Sequence, residues 1–158
     1  MSQHIISQIH SFLIKNRKTI TVAESCTGGL LSKLLTDISS SSQYFILGVV
    51  TYSDKAKENI LKIPHFLMVK KGAVSKEVAK DMAKTVRKLA KTDFGVGITG
   101  IAGPTGATAQ KPLGTVFIAI SSKNKTICRK FHFTGKRGTI RQKVALKSLE
   151  LLKGMLLT

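Results

Sequence analysis

The sequence predicts an α/β protein with three layers, in which a mixed β-sheet of about five strands lies between two layers of helices. Two observations lead to this prediction. Over most of the chain, short runs rich in β-branched residues alternate with longer segments of helical periodicity. Near the carboxyl terminus, two strand-like runs are separated by a few polar residues, as in an antiparallel hairpin. We expect residues 1–158 to form a single domain, because this length suits one compact core.

Five segments have the composition of β-strands. The second, YFILGVVTY, is apolar along most of its length, and we expect it to be buried. The last two should pair through a turn at residues 123–125. In chain order the predicted strands are residues 19–24, 44–52, 94–99, 115–121 and 126–133.

Five helices are predicted from apolar residues that recur at helical spacing. The third should end before Pro64, and Ser75 can cap the fourth. The apolar stripe of the fourth helix should face the core and consists of Val78, Ala79, Met82, Val86, Leu89 and Ala90. In chain order the predicted helices are residues 3–16, 28–38, 54–61, 75–92 and 138–156.

The chain is strongly basic, with 26 Lys and Arg against eight Asp and Glu and a formal net charge of +18. This charge favours an anionic partner, such as nucleic acid or a phosphate-bearing substrate. The lysines are spread along the whole chain, however, and aromatic residues are only 6% of it, with no Trp. Single-strand binders usually interleave aromatic and basic residues. A solvated lysine-rich surface is therefore favoured over nucleic-acid binding, which stays as an alternative.

Several other classes of protein fit the sequence poorly. It has no run of 18 apolar residues, so no membrane-spanning helix is expected. The N-terminal segment resembles an amphipathic helix rather than a signal peptide, and we expect a cytoplasmic protein. Cys26 and Cys128 do not form a disulfide framework, and the four histidines are scattered. We therefore expect no metal site.

The first candidate site is TVAESCTGGLLSKLL, residues 21–35, where a strand runs into a helix. Ser25 is a possible nucleophile at this junction. The backbone N–H groups of Thr27, Gly28 and Gly29 could bind a phosphate or stabilise an oxyanion. A turn that merely needs glycines explains the same pattern.

A serine nucleophile needs a base, and the segment TYSDKAKENIL, residues 51–61, offers Lys57 together with Tyr52. Ser–Lys pairs occur in hydrolytic enzymes where the lysine is buried and its pKa is lowered. A solvated lysine on a helix is the alternative. Cys26 is a rival nucleophile, because a thiolate is intrinsically stronger than a hydroxyl.

Two further segments could bind a ligand. The loop in GITGIAGPTGATAQKPLGTV, residues 97–116, contains Thr105 and Lys111 as candidate contacts, or else it is a long mobile connection. Arg137 and Arg141 lie four residues apart at the start of the last helix. They could clamp a phosphate, or they are ordinary surface arginines.

These segments, in this order, resemble the C-terminal domain of the CinA family, the nicotinamide-nucleotide amidohydrolases. AESCTGG, residues 23–29, matches the family's most recognisable motif without a change. The other matching segments are VTYSDKAK (50–57), GAVSKEVAKDMA (72–83), TGIAGPTGATAQKPLGTV (99–116) and FTGKRGTIR (133–141).

The resemblance implies hydrolysis of nicotinamide mononucleotide to nicotinate mononucleotide and ammonia, in pyridine-nucleotide recycling, without a cofactor or metal. It implies Ser25 as nucleophile, Lys57 as general base and Tyr52 as a supporting residue. The substrate would be bound by Thr27, Gly28, Gly29, Thr105, Arg137 and Arg141. The resemblance also implies a homodimer or larger homo-oligomer and a stand-alone form, without the additional N-terminal domain of many relatives.

Three positions depart from the family pattern. Ala107 replaces a glycine in the glycine-rich loop, Lys136 replaces an acidic residue, and Ser40 or Ser41 stands where a glycine is usual. Because the loop at Ala107 could reshape the pocket, an amidase with a different substrate stays open. The net charge of +18 also keeps open a non-catalytic nucleotide-binding or nucleic-acid-binding domain.

Overall fold

The computed structural model describes residues 2–157, which form one five-stranded sheet with helices on both faces. The strands are β1 (Ile20–Glu24), β2 (Phe45–Val50), β3 (Phe94–Gly100), β4 (Thr115–Ser121) and β5 (Thr126–His132). The α-helices are α1 (Ser2–Lys15), α2 (Leu30–Thr36), α3 (Asp54–Leu61), α4 (His65–Lys71), α5 (Lys76–Leu89) and α6 (Arg137–Leu156). A short 3₁₀ helix, Ser41–Gln43, precedes β2.

The strand order in the sheet is β2-β1-β3-β4-β5. Strand β1 is parallel to both β2 and β3, whereas β4 is antiparallel to β3 and β5. Helices α1, α2 and α6 pack together over one face, and α5 covers the other face with α3 and α4 beside it. The predicted three-layer α/β fold with a mixed sheet is thus confirmed.

The topology leaves a crevice at the carboxyl end of β1. The chain leaves β1 through α2 on one face to reach β2, and then crosses through α3, α4 and α5 on the other face to reach β3. In open α/β sheets, ligands bind outside the carboxyl ends of the strands where the order reverses in this way. Ser25 is the first residue after β1 and lies at this position.

Helix α5 lies very close to the sheet because β3 carries glycines beneath it. A Cβ atom added at Gly97 would lie 2.4 Å from the carbonyl oxygen of Ala79, and one added at Gly95 would lie 2.2 Å from that of Ala83. Ala79 and Ala83 are themselves small and fully buried. Small residues on both surfaces therefore set the distance between helix and sheet.

Four details of the sequence prediction are wrong. Strand β2 is an edge strand rather than a buried one, and its Ile46 and Val50 are about half exposed. Helix α2 begins at Leu30 rather than residue 28, since both preceding glycines have positive φ angles. Helix α4 was not predicted; α3 ends at Leu61 with Lys62 as its C-cap, and Pro64 is the N-cap of α4. Leu89, at the end of α5, is exposed.

We expect Gly97→Ala to destabilise the fold by roughly 1–3 kcal/mol, the usual cost of overpacking a well-filled interior. The added methyl group would meet backbone atoms of α5, which cannot rotate away. Urea denaturation measures the effect. Gly138→Ala is the matched control, because a Cβ there meets nothing within 4 Å and alanine favours the helix. Equal stability of the two variants would contradict the close contact.

Candidate active site

A cavity of about 310 Å³ lies at the carboxyl edge of the sheet. Five segments form its walls: the turn after β1, the start of α3, Ala73 and Val74 before α5, the end of β3 with the loop after it, and the start of α6. The structure thus brings together residues that are more than 110 positions apart in the chain, from Ser25 to Arg137. The residues in its lining that the sequence predicted as site residues are Ser25, Tyr52, Lys57, Thr105 and Arg137.

Ser25 and Lys57 form a buried pair at the bottom of the cavity. Lys57 Nζ lies 3.2 Å from Ser25 Oγ and 3.2 Å from the carbonyl oxygen of Tyr52. The lysine is only 2% exposed, although it belongs to a chain rich in solvated lysines. Ser53 caps α3 by accepting a hydrogen bond from the backbone N–H of Ala56, which fixes where the helix starts. Lys57 then points inward from its first turn.

Burial lowers the pKa of Lys57, because the charged ammonium loses its hydration in this environment. The carboxylate of Asp54, 3.9 Å from Lys57 Nζ, opposes this effect and raises the pKa. A lysine whose pKa is lowered has a larger neutral fraction near neutral pH. The neutral amine beside Ser25 can accept a proton from the hydroxyl group.

The turn that carries Ser25 is held by the buried carboxylate of Glu24. Its Oε2 accepts hydrogen bonds from the N–H groups of Gly29 and Leu31, both at 3.1 Å. Its Oε1 accepts from the N–H of Ser32 at 2.8 Å and from the Ser32 hydroxyl at 2.7 Å. The first N–H groups of α2 are therefore occupied by the protein itself.

The predicted use of Gly28 and Gly29 as ligand-binding N–H donors is accordingly wrong. The N–H of Gly29 donates to Glu24, and the N–H of Gly28 donates to the carbonyl of Ser25 at 3.0 Å. Both glycines serve the turn instead, with φ angles of 59° and 96° that other residues rarely adopt. Thr27 is fully buried and does not line the cavity.

Arg137 and Arg141 have different positions despite their sequence spacing. Arg141 donates from Nε to the carbonyl of Cys26 and from Nη2 to the carbonyl of Thr27, so it braces the turn from outside the cavity lining. Arg137 lines the cavity, and it donates to the Tyr52 hydroxyl and to the carbonyl of Gly103, both at 2.6 Å. Of the two arginines predicted to clamp a phosphate, Arg137 lines the cavity and Arg141 does not.

The rival nucleophile Cys26 has an unfavourable environment for reaction. Burial is the main cause that raises the pKa of its thiol to about 12. The thiol therefore stays protonated near neutral pH, whereas attack requires the thiolate. Cys26 also lines the cavity, but the lysine amine lies within hydrogen-bond distance of Ser25. This arrangement favours the serine as the nucleophile.

Sequence reasoning missed two carboxylates at the site, Glu24 and Asp54. Glu24 stands at the end of an apolar strand and is followed by a turn with two glycines and then a helix. This order of residues indicates a buried carboxylate that caps the first N–H groups of the helix. Asp54 lies three residues before Lys57, a spacing that brings two side chains together on a helix.

Two other properties of the described residues concern function. Within residues 2–157, no helix is both long and apolar enough to cross a membrane. Across the same range, no group of three or more His, Cys, Asp or Glu side chains is arranged to hold a metal ion.

Comparison with known proteins agrees with this architecture. The chain matches the family model of the CinA C-terminal domain over residues 2–156 and belongs to that family. It is 47% identical over 146 residues to a CinA-like protein of Syntrophus aciditrophicus, and this alignment covers 92% of the present chain and 35% of the relative. The chain spans about a third of the length of the curated relatives it matches.

Solved structures of the family share the fold over nearly all of the chain. The competence or damage-inducible protein of Enterobacter asburiae matches with a TM-score of 0.95 and 31% identity, over 99% of this chain and 98% of that one. The competence/damage inducible protein CihA of Agrobacterium tumefaciens matches with a TM-score of 0.95 and 32% identity, over 99% and 96%.

We expect Glu24→Gln to lower the free energy of unfolding by roughly 2–4 kcal/mol, because an amide group would replace a buried acceptor with a donor that faces N–H groups. Chemical denaturation measures this loss. Asp37→Asn, at an exposed salt bridge with Lys33 at the other end of α2, is the control and should change stability little. If Glu24→Gln were as stable as the wild type, the carboxylate would not hold the turn.

The lowered pKa of Lys57 predicts a pH-dependent stability difference from Lys57→Met. Between the folded-state pKa and the unfolded value near 10.5, the unfolded chain binds one more proton than the folded chain. The free energy of unfolding of the wild type, relative to that of Lys57→Met, should therefore rise with pH across this window. Read in the other direction, this gain is lost as the pH falls from the unfolded-state pKa through the folded-state pKa. Denaturation of both proteins at several pH values tests this, and a flat difference would contradict it.

Proposed function

We propose that the protein is an amidohydrolase that deamidates nicotinamide mononucleotide to nicotinate mononucleotide and ammonia through a Ser–Lys mechanism. The observation that carries this proposal is the buried Lys57 amine, 3.2 Å from the Ser25 hydroxyl in a cavity. A pure binding domain has no need for such a pair. The resemblance of the site motifs to nicotinamide-nucleotide amidohydrolases suggests the substrate.

The first half of the proposed reaction forms an acyl-enzyme. Neutral Lys57 accepts the proton of the Ser25 hydroxyl as Oγ attacks the carboxamide carbon. The tetrahedral intermediate collapses when its C–N bond breaks. Lys57 returns the proton to the departing nitrogen, so that ammonia leaves and the nicotinate acyl group stays on Ser25.

The second half of the proposed reaction hydrolyses the ester. A water molecule attacks the acyl carbon while Lys57 accepts one of its protons. The bond between the acyl carbon and Ser25 Oγ then breaks, and Lys57 returns a proton to the serine oxygen. The free enzyme is restored, and the carboxylic acid product leaves in its ionised form.

The size and charge of the cavity support a mononucleotide substrate. Its volume of about 310 Å³ lies at the lower end of the range of roughly 300–1,000 Å³ for small-ligand pockets. Arg137 supplies a guanidinium group at the cavity wall, which suits a phosphate. Thr105, in the adjoining loop, offers a hydroxyl group for the ribose phosphate. Tyr52 supports Arg137 through its hydroxyl.

Ammonia release from nicotinamide mononucleotide by the purified protein tests the proposal. We expect release by the wild type, and a loss of at least about 10³-fold in Ser25→Ala, because this variant lacks the nucleophile. Lys57→Met should show a comparable loss, because no other base lies within hydrogen-bond distance of Ser25 among the described residues. Full activity in a folded Lys57→Met variant would overturn the assignment of the base.

The choice of nucleophile has a separate test. Cys26→Ala should keep most of the ammonia release, because the thiol has a raised pKa and does not attack. If Cys26→Ala were inactive while Ser25→Ala kept its activity, the cysteine would be the nucleophile. Free nicotinamide and glutamine serve as alternative substrates, and preferential turnover of either would change the proposed substrate.

A further inference from the structure

The cavity has walls of opposite charge. Arg137 lies on the wall that the start of α6 forms, and Asp54 lies on the wall that the start of α3 forms. Among the described residues that line the cavity, Asp54 is the single carboxylate. The chain as a whole carries a formal net charge of +18, which repels cations. Asp54 therefore opposes the overall field of the protein at the place where a substrate would bind.

Asp54 is available to a ligand when Lys57 is neutral. Its side chain is 66% exposed, and its Oδ1 lies 3.9 Å from Lys57 Nζ, which is beyond hydrogen-bond distance. The amine makes its hydrogen bonds with Ser25 and with the Tyr52 carbonyl instead. Once Lys57 has lost its proton, as the proposed mechanism requires, Asp54 has no other cation within salt-bridge distance in residues 2–157.

We propose that Asp54 is a specificity-determining residue, which selects substrates whose scissile carboxamide is carried by a cationic ring. This inference rests on the proposed function and deepens it. The pyridinium ring of an oxidised nicotinamide nucleotide has this charge, whereas the dihydropyridine ring of its reduced form is neutral. With Arg137 also in its lining, the cavity matches a ligand that is positive at its ring and negative at its phosphate.

The bound ring also acts on the general base. The other titratable or charged groups that line the cavity with Lys57 are Asp54 on α3, Tyr52 just before α3, Cys26 after β1 and Arg137 on α6. The Cys26 thiol has a pKa of about 12 and stays neutral, and Arg137 is always charged. Asp54 is thus the negative charge that raises the pKa of Lys57. A cationic ring beside Asp54 offsets this charge, so the substrate favours the neutral, reactive form of Lys57.

A binding comparison in the Ser25→Ala background, which prevents turnover, tests the selectivity. The two probes are nicotinamide mononucleotide and its reduced form, which share the carboxamide, ribose and phosphate. We expect Asp54→Asn to weaken binding of the oxidised probe by roughly three- to tenfold, the size of one partly screened ion pair. Binding of the reduced probe should change by less than about twofold, which also shows that the variant is folded. Calorimetric titration measures both dissociation constants.

Asp81→Asn is the matched control, because it removes the same charge from α5 without touching the cavity lining. It should change neither dissociation constant. Equal weakening of both probes by Asp54→Asn would show an effect of shape rather than of ring charge and would overturn the inference. Unchanged binding of the oxidised probe would overturn it as well.

The pH dependence of turnover provides the second readout. The acid limb of kcat reports the pKa of Lys57 in the enzyme–substrate complex, and that of kcat/KM reports its pKa in the free enzyme. Because the bound cationic ring favours neutral Lys57, the acid limb of kcat in the wild type should lie at lower pH than that of kcat/KM. In Asp54→Asn, the acid limb of kcat/KM should move to lower pH, and the difference in pH between the acid limbs of kcat and kcat/KM should become smaller. If this difference were the same as in the wild type, the effect of the bound ring on Lys57 would be contradicted. Absence of ammonia release from the wild type would instead overturn the proposed function, while the binding comparison would still decide the ring-charge selectivity.

Discussion

The candidate site depends on one buried interaction, that of the Glu24 carboxylate with the start of α2. The turn at residues 25–29 needs two consecutive residues with positive φ, and it leaves the first N–H groups of the helix directed back toward the end of β1. A carboxylate satisfies these donors and interacts favourably with the positive end of the helix. The turn is therefore fixed by the protein itself, and Ser25 is held in place before any ligand arrives.

The second component of the candidate site is the buried Lys57, whose amine lies beside Ser25. Burial of a charged amine costs stability, and the same burial lowers the pKa of Lys57 and so increases the fraction of the amine that is neutral. The surrounding core offsets this cost: α5 packs closely on the glycines of β3, next to the segment that carries the lysine. The burial of Lys57 at the carboxyl edge of the sheet is thus supported by tight packing elsewhere in the layer.

Much of this architecture could be predicted from the sequence, because periodicity and turn residues act locally. The five strands, the hairpin at residues 123–125 and five of the helices follow from such patterns. The edge position of β2 did not follow, since an apolar strand looks the same at an edge as in the centre of a sheet. Ser25 and Lys57 were predicted, but the separation of Arg137 from Arg141 was not. The side-chain directions of those two arginines depend on how α6 packs against the turn.

The two edge strands of the sheet, β2 and β5, differ in charge, and this difference affects how readily each could pair with another chain. Strand β5 presents the exposed charges of Arg129 and Lys130, which discourage pairing with another chain. Strand β2 has no charged residue between Phe45 and Val50. The net charge of +18 adds a repulsion between whole molecules that opposes association at either edge. Added salt shortens the range of that repulsion, so it opposes edge-to-edge association best at low ionic strength.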